Sequence, residues 1–120
     1  MLAWKRLHLY EDFFYSATAF PSSDCEELRE AGSRTVYRRC SGGAQGEKAL
    51  PGGLYLFLQL RQPVDEIFWE EHRADAESFL LHKKAERVSD SVFFRTLAED
   101  GQKAYQIWIP IRDRSIMSQD

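Results

Sequence analysis

Leu54-Tyr55-Leu56-Phe57-Leu58-Gln59-Leu60 is the stretch on which the reading of the fold turns. Successive side chains of an extended strand point to opposite faces. Leu54, Leu56, Leu58 and Leu60 therefore share one side, and Tyr55, Phe57 and Gln59 the other. The same division recurs late in the chain, where Tyr105, Ile107, Ile109 and Ile111 fall together and Gln106, Trp108 and Pro110 fall opposite. Two strands patterned alike predict a sheet with one aliphatic side, fit to pack on a helix, and one aromatic side that needs a cover.

Outward from this stretch, Leu50-Pro51-Gly52-Gly53 reads as the turn that opens it. Beyond it, Pro63 stands where a helix would begin. Val64, Ile67, Phe68, Phe79 and Leu80 form an apolar stripe up to Lys84, which predicts a helix interrupted near Ala74. Ser91 to Leu97 and Ala104 to Ile111 read as strands joined by the Glu99-Asp100-Gly101 turn, a hairpin signature. Towards the N-terminus, Leu2, Arg6, Leu9 and Phe13 recur at helical spacing and predict a short amphipathic helix over 2–14. Tyr15 to Phe20 alternates and stops at Pro21, as a first strand would. Cys25 to Glu30 reads as one helical turn ended by Gly32, Arg34 to Cys40 as a second strand, and 41–46 as a loop. The predicted class is α+β, an antiparallel sheet with one main helix, in a single domain over 1–120.

Composition narrows the function. The chain has 120 residues, 43% hydrophobic and 29% charged, which suits one domain with one core. Nineteen acidic residues against 16 basic give a net charge of −3, and the basic ones are scattered, which argues against direct contact with nucleic acid. Arg34, Arg38 and Arg39 read as solvent-facing. No apolar run has the length of a membrane span or signal peptide. Cys25 and Cys40 match neither a zinc knuckle nor a redox pair, so a cytoplasmic chain with reduced thiols is expected. His8, His72 and His82 form no metal set, and Ser91 lacks the setting of a nucleophile elbow. The expectation is no catalytic residue, no metal and no cofactor.

Five short motifs, in order, carry a resemblance: Tyr15-Ser16-Ala17-Thr18-Ala19-Phe20, Thr35-Val36-Tyr37-Arg38, Leu50-Pro51-Gly52-Gly53-Leu54-Tyr55, Val88-Ser89-Asp90 with Val92-Phe93-Phe94, and Ile107-Trp108-Ile109-Pro110-Ile111. Together, over about residues 15 to 112, they resemble the GyrI-like effector-binding domains found at the C-terminus of MerR-type multidrug-responsive activators and in stand-alone proteins. The resemblance implies two βαββ repeats, the first incomplete here, holding a hydrophobic or aromatic small molecule between them. It places Tyr15, Phe68, Trp69 and Tyr105 at or beside pocket positions, and Phe94 where cation-binding members carry a buried glutamate. The face argument adds Tyr55, Phe57 and Trp108, with Gln59 or Gln106 as a polar contact, and sets Tyr105 on the other side. A neutral or weakly basic aromatic ligand follows, with a homodimer or a DNA-binding partner domain as the route to a transcriptional output. The alternatives are a stand-alone hydrolase, using Glu66, Glu70 or Glu71 to activate water, and a protein-interaction inhibitor.

Overall fold

A computed structural model describes residues 2–17, 26–40 and 46–114. Nine strands and one helix follow in chain order: β1 (Lys5–Leu9), β2 (Phe13–Ser16), β3 (Glu27–Glu30), β4 (Tyr37–Arg39), β5 (Lys48–Leu50), β6 (Gly53–Leu60), α1 (Glu66–His82), β7 (Ala85–Arg87), β8 (Phe93–Glu99) and β9 (Gln102–Asp113). All pairings are antiparallel, and the main sheet runs β1-β6-β9-β8-β3-β4-β2-β5, with β7 added to the far end of β9.

The sheet curls because its two ends share corners. β1 pairs β6 from Lys5↔Phe57 to Leu9↔Gly53, and β2 pairs β5 from Phe13↔Leu50 to Tyr15↔Lys48. Tyr10, Glu11 and Asp12 thus stand opposite Pro51 and Gly52, a bulge that bends both chains at once. The Gly52 N–H donates to Asp12 Oδ1 at 2.7 Å, and a Cβ at Gly52 would sit 3.1 Å from the Leu9 carbonyl oxygen. A larger residue there would make the two corners give way by a few tenths of an ångström. The curled sheet is a half-barrel with α1 laid on its outer side.

The helix forms as an unbroken piece through Ala74. It starts later than Pro63 implies, because the Asp65 side chain caps it by accepting from the Phe68 N–H at 3.0 Å. Its buried Trp69, Ala76 and Leu80 join Trp4, Leu56, Leu58, Phe94, Ile107, Ile109 and Ile111 in one core. The second core lies inside the curl and holds Leu9, Tyr15, Leu28, Leu50, Tyr55, Phe57, Phe93 and Trp108. The face division expected for β6 and β9 is the one observed. The helix α1 is too short and polar to cross a membrane.

Two predicted helical pieces are strands instead. Residues 2–14 make β1 and β2, since Leu7, Leu9, Phe13 and Tyr15 also alternate, and β6 would otherwise leave a row of backbone groups unpaired. Residues 27–30 of the expected helical turn over 25–30 form β3, which supplies β8 with its second neighbour, and Cys25 lies outside the described residues. Of the expected strand over 15–20, Tyr15 and Ser16 fall in β2 and Ala17 in the turn after it; residues 18–20, like most of the predicted loop over 41–46, lie outside the described residues. The order β6-α1-β8-β9 is one strand–helix–strand–strand unit, with β7 inserted. Among the described residues, the half before β6 contains strands only.

Candidate functional site

The aromatic interior is closed by its own rings. Tyr15 is 0% exposed, Tyr55 2% and Trp108 3%. Trp108 meets Phe57 and Tyr55 edge-on, with ring centroids 4.9 and 5.2 Å away, the arrangement that aromatic quadrupoles favour. Burial, with Asp12 nearby, pushes the Tyr55 hydroxyl up to about 12, and it donates to the Pro51 carbonyl. These rings form one face of a core.

A chain of polar side chains threads the same interior. In β8, the phase that turns Phe93 inward also turns Arg95 inward. Its Nε donates to Glu26 Oε2 at 2.7 Å and its Nη1 to Gln106 Oε1 at 2.9 Å. That Gln106 oxygen also accepts from Trp108 Nε1 at 2.8 Å, and the Gln106 amide donates to Gln59 Oε1 at 2.7 Å. Gln59 in turn reaches Glu99 on the rim at 3.0 Å. At the other end Glu26 also receives the Tyr15 hydroxyl, and Arg39 at 3.3 Å. Arg39 lies over the Phe13 ring at 4.0 Å and Arg95 over it at 5.2 Å.

Charge sets the protonation of this cluster. Burial raises the Glu26 carboxyl, but hydrogen bonds from Arg95 and Tyr15 and the charges of Arg95 and Arg39 outweigh it and leave it below the usual range. Burial drives the Tyr15 hydroxyl well above its ordinary value, although the nearby Arg95 charge opposes this. A buried ion pair stabilises little, because desolvation offsets attraction. Arg95 and Glu26 keep only 10% and 14% of their side-chain surface. Arg39, at 35%, is the opening of the cluster to solvent.

The eight site residues picked from sequence divide across the sheet. Tyr15, Tyr55, Phe57 and Trp108 come together inside the curl with Gln59 and Gln106. Phe68, Trp69 and Phe94 lie on the helix side. Tyr105, half-buried beside Leu60 and Thr96, belongs to neither core, and its phase in β9 puts it on the helix side. Glu66 is held by Arg29, Glu70 pairs with Arg73, and Glu71 is exposed. Sequence reasoning passed over Glu26, Arg39 and Arg95. Arg39 was taken for a solvent-facing residue, yet it turns in to Glu26. A charge at the inward phase of an apolar strand, as at Arg95 between Phe93 and Leu97, is the signal that finds this cluster.

No family model, curated protein or solved structure matches this chain.

Proposed function

We propose that this chain is a binding module for a small aromatic molecule bearing an acidic or hydrogen-bond-accepting group, taken up at the Arg39 end of the half-barrel. The observation that carries the reading is the linked series Arg39, Glu26, Arg95, Gln106 and Gln59 inside an aromatic core. Apolar side chains would fill that space with no loss of stability, whereas a ligand site needs a few convergent polar groups on an apolar wall. Two guanidinium groups share the Glu26 carboxylate, so the cluster is left cationic. That favours an acidic or neutral ligand over the weakly basic one that the family resemblance implies. The ligand ring takes the place of the Arg39 guanidinium on Phe13, and its acceptor group receives Arg39. Kinship with the GyrI-like effector domains extends in this proposal to the unit from β6 to β9, and ligand occupancy is passed to a DNA-binding or other partner.

Thermal shift of the purified chain against aromatic acids, neutral aromatics and aromatic cations tests this, because a ligand specific to the folded state raises its melting temperature. Aromatic acids and neutral aromatics should stabilise, and Arg39→Ala should abolish the shift given by the acids. Trp108→Ala is the wrong probe, since emptying so buried a ring costs about 3–5 kcal/mol of stability in its own right. Stabilisation by the cations alone, or shifts indifferent to Arg39→Ala, would overturn the proposal.

A further inference from the structure

β1 ends the sheet. It pairs with β6 and with no other strand among the described residues. Alternate backbone N–H and C=O groups between Lys5 and Leu9 therefore face outward, a template for a further strand. Beside it, towards the C-terminal half of α1, lies a hollow of about 380 Å³ lined by Trp4, Lys5, Arg6, Phe79 and Lys83. A second hollow, of about 230 Å³, shares Trp4 and Phe79 with it. Arg6 is engaged by Asp113 at 2.6 Å. Lys5 and Lys83 have no ion pair among the described residues, and lie 5.9 Å from the Phe57 ring and 5.7 Å from the Phe79 ring.

We infer that this edge docks an extended acidic segment of a partner protein, which adds a strand alongside β1. Strand addition draws its affinity from main-chain hydrogen bonds and its selectivity from pockets for alternate side chains. Here the outward groups of β1 supply the first, and the hollow supplies the second. Trp4 and Phe79 offer an apolar seat for one side chain on the helix side, with Lys83 beside it, while Lys5, turned to the other face of β1 over Phe57, meets acidic ones. A second copy of the chain is disfavoured in registers that set Lys5 or Arg6 opposite its own kind, since like charges directly opposite are destabilising. A basic edge guards against self-pairing and at the same time selects an acidic partner.

The probe is the acetylated, amidated peptide Glu-Val-Glu-Phe-Glu-Val-Glu, titrated calorimetrically into the full chain. Binding should weaken about tenfold in ~0.5 M salt, since screening removes the charge attraction. It should weaken about tenfold again with the exposed double substitution Lys5→Glu and Lys83→Glu, whose unchanged far-ultraviolet circular dichroism checks the fold. Methylating alternate peptide nitrogens should abolish it. No binding by the parent peptide, equal binding by the methylated one, or equal binding by a version with lysine for glutamate would each overturn the inference. So would a dimer in sedimentation equilibrium that the charge reversal dissociates, because the edge would then belong to a second copy. The double substitution leaves Arg39 and Arg95 untouched, so the small-molecule thermal shift stays as it was and the two proposals stand or fall separately.

Discussion

Glu66 ties the first turn of α1 to the turn after β3. Both of its oxygens receive Arg29, at 2.6 and 2.8 Å, and one also receives the Gly32 N–H at 2.9 Å. The Arg29 hydrogen bonds first, and the Gly32 N–H after them, bring its carboxyl down from 4.5 to about 2. A carboxyl depressed in the folded state adds stability that is present above the ordinary value and is lost as pH falls through the folded one. The side chain is 42% exposed, so solvent screening leaves about 1 kcal/mol of the effect. The free energy of unfolding should therefore fall by about that amount between pH 4.5 and 2 through this residue. Chemical denaturation across that range checks it. In Glu66→Gln the stability at neutral pH should be lower by about 1 kcal/mol and that part of the pH slope should vanish.

At the scale of elements, the β8–β9 hairpin is the piece most plainly written in the chain. Asp100 and Gly101 both adopt positive φ, 54° and 78°, the two-residue turn whose twist matches that of its flanking strands. A Cβ at Gly101 would meet nothing within 4 Å, so any cost of substitution there is conformational. Gly101→Ala should lose about 1 kcal/mol and Gly101→Asn less, because asparagine tolerates the left-handed region better. Urea titration of the two variants separates these outcomes. β1, β2 and β3 were much less legible. Each is five residues or fewer, and over so short a span the apolar positions satisfy periods of both 3.6 and 2. Their strand state is fixed by the partners they find in β6, β5 and β8, which local spacing does not encode.

Across the whole molecule the two cores are the two sides of one sheet. β6 and β9 give Leu56, Leu58, Ile107 and Ile109 to the helix side, and Tyr55, Phe57 and Trp108 to the interior. Neither core can be lost while the other stays intact. Unfolding should be a single transition, with far-ultraviolet circular dichroism and tryptophan fluorescence giving one midpoint. Separate midpoints would show that the helix layer and the curl melt independently. The pairings of β1 with β6 and of β3 with β8 also join distant parts of the chain. Such non-local closure places refolding on the millisecond-to-second scale, which stopped-flow fluorescence would resolve.

The amino-acid sequence by itself determined the two-faced strands at Leu54–Leu60 and Tyr105–Ile111, the helix between them and the hairpin turn, because strand alternation, helical periodicity and glycine chemistry are local properties. It also determined that one face would be aromatic. The tertiary structure alone decided that this face would be sealed. The bulge opposite Gly52 curls the sheet, and the curl presses Tyr55, Phe57 and Trp108 against residues supplied by β2, β3 and β5. It also brought Glu26, Arg39 and Arg95 to one point from three strands or their flanks. Three charged residues dispersed through a chain acquire a shared site only when strand pairing sets their register, and register between distant strands is a property of the assembled sheet.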